Sequence, residues 1–240
     1  MRMAGVWRSA VGAARLALPV DCPGCDAPDE RWCEECRAPW WEEPVRCETS
    51  AARLEVLDPP LPAWSITVLE GSAHGTVSAW KDGGRRDLDR DLTAAMRRAA
   101  AVVAPALAAA CGEVDVVPCP ARAAHTRRRG ADLPGLLARG AAAGLRDAGV
   151  SASPRSLLRP ARGRSRGAGD RGRWRGEAPV ALAAVRGPMR PVLLVDDVVT
   201  TGATLARAAQ ALQAGPAVPV GALLLAVAPG VHSRQGSALL

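Results

Sequence analysis

The fold of this chain is decided by the stretch Val192-Leu193-Leu194-Val195-Asp196-Asp197-Val198-Val199-Thr200-Thr201-Gly202-Ala203-Thr204. Its first four residues form an apolar run that is typical of a strand buried on both faces of a parallel sheet. The last residues lead into a helix, because apolar side chains follow at helical spacing before Gly215 ends it. The two aspartates are therefore expected where the strand ends, at the edge where open α/β sheets bind ligands.

The loop 200–204 has the composition of a phosphate site. Amides at a helix entry and the positive end of the helix dipole attract an anion, Gly202 lets the backbone approach closely, and the threonine hydroxyls donate further hydrogen bonds. Asp196 and Asp197 would repel the same anion, so we expect them to accept hydrogen bonds from a ribose diol or to bind it through a metal. The alternative is an ordinary strand, turn and helix whose aspartates only cap the helix.

This order of residues resembles the phosphoribosyl-pyrophosphate (PRPP) motif of type I phosphoribosyltransferases across all thirteen positions. The resemblance implies that Asp196 and Asp197 hold the ribose hydroxyls, that residues 200–204 hold the 5-phosphate, and that Mg²⁺ binds with the pyrophosphate. Relatives that act on 6-oxopurines carry an acid at the position of Thr200, so hypoxanthine and guanine are not expected as acceptors. The residues of the motif expected to bind PRPP are Asp196, Asp197, Val198, Val199, Thr200, Thr201, Gly202, Ala203 and Thr204.

Five of the seven cysteines lie within residues 22–47. The spacing Cys22-x-x-Cys25 and Cys33-x-x-Cys36 can supply four thiolates to one tetrahedral Zn²⁺ ion. Disulfides or a dithiol redox pair are the alternatives, but the chain shows no export signal, and one redox pair would not need duplicating. Four thiolates leave no open coordination position, so such a zinc ion would be structural and not catalytic.

Composition excludes several classes of protein. A chain of 240 residues, 48% of them apolar, can form one α/β domain with a small appendage. No apolar run is long enough to span a membrane, and residues 1–20 are interrupted by arginines and lack a cleavage site. They predict an amphipathic helix and a cytoplasmic protein. A Walker A motif is absent, which excludes P-loop ATPases.

Positive charge is concentrated in residues 121–175, which contain fourteen arginines and three acidic residues within a chain of net charge +7. This basic band could screen a pyrophosphate or bind single-stranded DNA, or it could be a solvated arginine-rich surface. The chain has a single lysine, Lys81, within Trp80-Lys81-Asp82-Gly83. Its retention hints at a site that needs a compact ammonium, although a lysine at a helix end also stabilises the helix dipole.

Strands alternate with helices along most of the chain, which predicts an α/β fold with a doubly wound, mostly parallel sheet. The predicted strands lie near 65–69, 114–117, 191–195 and 218–227, and the predicted helices near 73–81, 87–110, 132–147 and after 204. The predicted domains are 1–60, with an N-terminal helix, the four-cysteine zinc ribbon and a Pro-rich connector; 61–230, the sheet domain; and 231–240, a C-terminal tail.

With these parts in order, the chain resembles the ComF family of competence-associated phosphoribosyltransferase-like proteins along almost its whole length. The resemblance implies a type I phosphoribosyltransferase-like fold, with residues 118–122 near the pyrophosphate and Lys81 in a hood over the ribose. The residues that carry it are the cysteine ribbon, Trp80-Lys81-Asp82-Gly83, Val117-Pro118-Cys119-Pro120, Arg129-Gly130 and the Asp196-Asp197 motif. Its implied catalytic residues are Lys81, Asp196 and Asp197, and its further PRPP-binding residues are Pro118, Cys119, Arg122 and Arg129.

The activity implied by the resemblance is displacement of pyrophosphate from PRPP by an acceptor. The chain carries Ala131-Asp132-Leu133 where the family has Phe-Asn-Gln, and it contains neither Phe nor Tyr, which leaves Trp80 or Trp174 to stack on a base. Two other functions remain open. One is a PRPP or nucleotide sensor without catalysis, and the other is a protein of DNA uptake that binds single-stranded DNA or a helicase partner.

Overall fold

The structure is a computed structural model that describes residues 20–55, 57–120, 131–160, 180–183 and 190–230. The strands of these residues are β1 (Val45–Arg46), β2 (Ala63–Val68), β3 (Glu113–Pro118), β4 (Ser151–Pro154), β5 (Leu158–Pro160), β6 (Val180–Leu182), β7 (Val192–Val199) and β8 (Pro219–Val227). The α-helices are α1 (Glu34–Arg37), α2 (Ala52–Glu55), α3 (Gly71–Lys81), α4 (Asp89–Ala108), α5 (Leu133–Asp147) and α6 (Ala203–Gln213). Every helix in these ranges is too short or too polar to cross a bilayer.

The main sheet of the described residues has six strands in the order β1-β2-β8-β7-β3-β4. All neighbours pair in parallel except β1, which runs antiparallel to β2. This confirms the predicted α/β class with a mostly parallel sheet. The connection after β3 runs through α5 to β4 on one side, and the connection after β7 runs through α6 to β8 on the other. The point where these connections diverge lies between β3 and β7, which is where open α/β sheets bind ligands.

Helices cover both faces of this sheet. Along β7, Leu193 and Val195 belong to a core cluster with α4 and α5, whereas Val192 and Leu194 belong to a second cluster with α6. Successive side chains of a strand point to opposite faces, so this alternation is the expected result of two-sided burial. It explains the uninterrupted apolar run that begins the motif.

The helix after the motif buries the stripe of side chains that its sequence predicts. Its apolar residues are Leu205, Ala208, Ala209 and Leu212, and none of them is exposed. The helix α5 begins where Asp132 accepts a hydrogen bond from the Gly135 amide, at 3.2 Å, so the predicted start at residue 132 is confirmed.

The segment 20–57 packs on both faces of the sheet. Cys22 and Trp40 share a core cluster with Trp80 of α3, while Cys47 and Leu54 share the other cluster with α6. The predicted connector between ribbon and sheet therefore contains two short helical elements, at Glu48–Ser50 and α2.

Several predicted features lie outside the described residues. These features are the N-terminal helix, the loop residues Arg122 and Arg129, Trp174, ten of the fourteen arginines of the basic band, and the tail 231–240.

Candidate functional site

The strand β7 is longer than the sequence predicts. It continues to Val199 because β8 pairs with it as far as Val227, whereas its last partner in β3 is Pro118, opposite Val195. The predicted end of the strand at residue 195 is therefore four residues too early, and Asp196 and Asp197, which the sequence predicts at its carboxyl end, lie within its carboxyl-terminal half. They lie just beyond the point where pairing with β3 stops, at the switch point of the sheet.

The loop after β7 surrounds a cavity of about 60 Å³, lined by Asp196 and residues 198–205. A cavity needs roughly 10–15 Å³ to hold one water, so this space accommodates a group with the bulk of about four waters. Gly202 has φ of 76° and precedes the first residue of α6. The side chains of Thr200, Thr201 and Thr204 are exposed. Hydroxyls, a helix N-terminus and a cavity of this size together suit a tetrahedral oxyanion.

Residues 51–54, which lie far upstream in the sequence, pack against this loop. The amide of Arg53 donates to the carbonyl of Thr201 at 3.0 Å. A Cβ placed on Gly202 would lie 2.9 Å from Leu54 Cγ and 3.1 Å from Ala51 Cβ. Sequence reasoning missed this support because it assigned the segment to a connector, although Ala51, Leu54 and Leu57 recur at one-turn spacing and are buried.

The two adjacent carboxylates differ in their surroundings. Asp196 Oδ1 accepts from the Asp197 amide at 2.9 Å, and Asp197 Oδ1 accepts from the Val198 amide at 2.7 Å. Burial raises the pKa of Asp196 to about 7, and the charge of Asp197 adds to this, while the Asp197 amide, the Lys81 cation and the Cys119 thiol act in the opposite direction. Asp196 therefore gains or loses a proton near neutral pH.

Lys81 is the cation that pairs with the aspartates among the residues that the structure describes. Its Nζ donates to Asp197 Oδ1 at 2.8 Å, and the two side chains are 21% and 10% exposed. The neighbouring Trp80 is fully buried, and its Nε1 donates to Asp89 Oδ1 at 2.6 Å. The expectation that Trp80 stacks on a base is therefore wrong, because this ring anchors the end of α3 inside the core.

The end of β3 contributes Pro118 and Cys119 to the same crevice. The amide of Cys119 donates to the Val195 carbonyl at 2.8 Å, and its thiol hydrogen-bonds Asp196. Burial raises the pKa of Cys119 well above its ordinary value, and the charges of Asp196 and Asp197 raise it further. Cys119 thus stays protonated and acts as a hydrogen-bond donor to the carboxylate, not as a nucleophile.

The four cysteines of the ribbon converge, as their spacing predicts. The sulfurs of Cys22, Cys25, Cys33 and Cys36 all lie within 4.8 Å of one another. The separation from Cys33 is 3.6 Å to Cys22 and 3.7 Å to Cys25. A tetrahedron of sulfurs about 2.3 Å from a metal has edges of about 3.8 Å, so the cluster could hold a metal ion. All seven cysteines are free thiols.

Backbone amides lower the pKa of one of these thiols, which favours the thiolate form that binds metal ions. Burial raises the pKa of the Cys22 thiol, but hydrogen bonds from the amides of Cys33, Gly24 and Cys25 outweigh it and lower the pKa to about 6. Burial and the neighbouring thiols raise the pKa of Cys36 instead. Four negative sulfurs this close together repel one another, so a bound cation is what allows all four to ionise.

The structure therefore brings Lys81, Cys119, Asp196, Asp197 and the loop 200–204 to one crevice, while the cysteine cluster lies on α3. No protein-family model matches the chain, and no curated protein matches it.

Proposed function

We propose that this protein binds PRPP and transfers its phosphoribosyl group to an acceptor, with release of pyrophosphate, as a phosphoribosyltransferase-like protein of the ComF type that takes part in DNA uptake. The observation that supports the proposal most is one convergence. An oxyanion-sized cavity at the start of α6, the carboxylates of Asp196 and Asp197, and the ammonium of Lys81 meet at the switch point of a parallel sheet.

Each part of the crevice suits one part of PRPP. The cavity at residues 198–205 suits the 5-phosphate, because exposed threonine hydroxyls and the N-terminal end of α6 surround it. Asp196 and Asp197 suit the 2- and 3-hydroxyls, since ionised carboxylates only accept hydrogen bonds and a diol donates two. The end of β3, at Pro118 and Cys119, lies beside the aspartates and suits the pyrophosphate, because β3 stops pairing with β7 at Pro118, opposite Val195.

The charges of the crevice suit a reaction in which pyrophosphate leaves the anomeric carbon. The ribose gains positive character as the bond breaks, and the carboxylates of Asp196 and Asp197 stabilise that charge. Lys81 uses one of its three donors on Asp197, which leaves two for oxygens of the departing pyrophosphate. Carboxylate oxygens are also ligands that Mg²⁺ accepts, and Mg²⁺ bound with PRPP supplies further neutralisation of the leaving charge.

The metal of the cysteine cluster is, in this proposal, Zn²⁺. Four thiolates with tetrahedral edge lengths are the ligand set of structural zinc sites. No position of the shell remains for water or substrate, so the zinc ion stabilises structure and takes no part in the transfer.

The test compares three measurements on the full chain. Calorimetry with Mg²⁺ and PRPP, with ribose 5-phosphate as a partial ligand, measures binding. Release of pyrophosphate is then followed with orotate, adenine, uracil or no base. A third titration uses fluorescent single-stranded DNA at two salt concentrations, because phosphate contacts weaken with salt.

Base-dependent release of pyrophosphate is the expected result. PRPP binding without release for any base would replace the transferase by a sensor. DNA binding in a protein with no affinity for PRPP would overturn the proposal and favour an interaction protein of DNA uptake.

A further inference from the structure

The cysteine cluster is in direct contact with the helix that carries Lys81. A Cβ placed on Gly75 of α3 would lie 2.6 Å from the carbonyl oxygen of Pro23. A Cβ placed on Gly24 would lie 2.9 Å from the Cβ of Ser72 and 2.8 Å from the Sγ of Cys36. The first cysteine turn and α3 therefore touch through two glycines, without an intervening side chain.

One arginine joins the end of this helix to both cysteine turns. Arg85 donates to the carbonyl of Asp21 at 2.8 Å and to that of Arg31 at 2.7 Å. The first carbonyl belongs to the residue before Cys22, and the second belongs to the residue before Trp32-Cys33. Asp87 holds the same guanidinium in an ion pair at 2.9 Å. Both hydrogen bonds of Arg85 can form only at one separation of the two cysteine turns. A metal ion bound by the four sulfurs would fix that separation.

The helix α3 also leads from the cysteine turns to the ion pair between Lys81 and Asp197. The helix α3 ends at Lys81, only four residues before Arg85, and Lys81 reaches Asp197 at 2.8 Å. The adjacent Trp80 is fully buried, so the end of the helix cannot shift independently of the core. A displacement of the cysteine turns therefore has to move α3 or break its contacts.

We propose that metal bound by the four cysteines positions Lys81 against Asp197, with Gly75 and Arg85 as the positioning residues that connect the two sites. Without a cation the four sulfurs lose the bonds that hold both turns together. The helix then loses its support, and the ion pair loosens. The consequence for PRPP affinity rests on the proposed function, but the coupling between metal and ion pair does not.

The single lysine makes this coupling measurable in the ligand-free protein. A small amine-reactive acetylating reagent modifies Lys81, the single lysine of the sequence. Mass spectrometry follows the rate of this modification. We expect chelation of the zinc ion to accelerate acetylation of Lys81 about tenfold, since charge-assisted hydrogen bonds contribute on this order. A lysine-containing peptide added to the reaction is the internal reference, and its rate should not change. Asp197→Asn, with zinc retained, should accelerate Lys81 to the same extent.

A glycine substitution separates the coupling from unfolding. Gly75→Ala keeps all four cysteines and places a better helix former in α3, but it drives a methyl group into the Pro23 carbonyl. We expect one zinc per chain together with faster acetylation of Lys81. The matched control is Ser78→Ala, on the exposed face of the same helix, which should leave the rate unchanged. Arg85→Gln should act as Gly75→Ala does.

Wild-type reactivity of Lys81 in both the chelated protein and Gly75→Ala would overturn the coupling. A wild-type protein that fails to bind PRPP would overturn the proposed function instead, because acetylation is measured without ligand. If the coupling holds and PRPP binds, zinc removal and Gly75→Ala should both weaken PRPP binding, whereas Ser78→Ala should not.

Discussion

Lys81 Nζ lies 2.8 Å from Asp197 Oδ1, although 116 residues separate the two in the sequence. The contact links the helix that follows β2 to the strand β7, and it gives the two adjacent carboxylates different partners. Asp197 forms an ion pair with Lys81. Asp196 interacts with the Cys119 thiol, and its pKa is about 7. The two acids therefore differ in charge near neutral pH. Such a pair can accept hydrogen bonds from a ribose diol and repels a phosphate in the neighbouring cavity less than two full negative charges would.

Replacement of both aspartates tests the assignment of the crevice. Asp196→Asn together with Asp197→Asn should abolish binding of PRPP with Mg²⁺, because the two amides carry no negative charge and each presents a donor group where the carboxylate presents an acceptor. Circular dichroism should show an intact fold, since neither side chain belongs to the apolar clusters. The matched control is Glu113→Gln, an exposed acid at the opposite end of β3. Unchanged PRPP affinity by calorimetry in the double variant would sink the assignment.

The threonines of the loop should discriminate phosphate from sugar. Thr201→Ala and Thr204→Ala should each weaken PRPP binding by about 1 kcal/mol per lost hydrogen bond, and by more if that bond is to a charged oxygen. Thr201→Ala also removes the acceptor of a 3.4 Å bond from the Ala203 amide, so it should loosen the loop itself. Ribose affinity should stay constant while ribose 5-phosphate affinity falls. An equal loss for both ligands would contradict a phosphate role.

Gly202→Ala should destabilise the fold and the anion cavity together. Its φ of 76° is strained for alanine, and the added methyl would lie 2.9 Å from Leu54 Cγ. Backbone strain of this kind costs about 1–3 kcal/mol, and the steric contact adds to it. Gly84→Ala is the control, with φ of 72° and no atom within 4 Å of the new methyl. Urea unfolding should show the larger loss for Gly202→Ala, and only that variant should lose phosphate affinity. Equal effects of the two variants would refute a packed loop.

The raised pKa of Asp196 predicts a pH dependence of stability. The native carboxyl has a pKa of about 7 against an ordinary value of 3.8, so between these values the native state binds more protons than the unfolded state. Its contribution is therefore fully present below about pH 4 and is lost as the pH rises to about 7. Asp196→Asn has no such loss, so its free energy of unfolding relative to wild type should increase across this window. A constant difference between the two proteins at all pH values would refute the raised pKa.

Removal of the metal should affect more than the ribbon. Cys25→Ser with Cys36→Ser should abolish the one zinc per chain that metal analysis is expected to find. Because Cys22, Cys36 and Trp40 share a core cluster with α4, the variant should also melt at a lower temperature than wild type. From the sequence alone, PRPP binding is expected to survive loss of the zinc ion unless the ribbon also supports the hood around Lys81. The contact of Gly24 with α3 and the hydrogen bonds of Arg85 to both cysteine turns are support of that kind, so we expect weaker binding. A metal-free wild type would overturn the zinc proposal.

Local pattern was sufficient to predict some elements and not others. The run Val192–Val195 and the stripe that begins at Leu205 carry their own periodicity, and both were predicted correctly. The length of β7 depends on where β8 and β3 stop pairing, which no property of β7 itself encodes. The spacing of Ala51, Leu54 and Leu57 indicates a buried helical turn, but the contact between Leu54 and Gly202 depends on the tertiary fold, which this local spacing does not encode.

The central position of β8 has a consequence for how the chain acquires its structure during synthesis. Ala63 of β2 pairs with Ala222 of β8, so the first long strand lacks this parallel neighbour until a segment 159 residues further along the chain has left the ribosome. Pairing between such distant segments is slow, and the waiting edge can associate with other chains. The four cysteines lie within residues 22–36 and can close around a metal as soon as they emerge. We therefore expect zinc supply during translation to govern the yield of native protein more than zinc added to the finished chain.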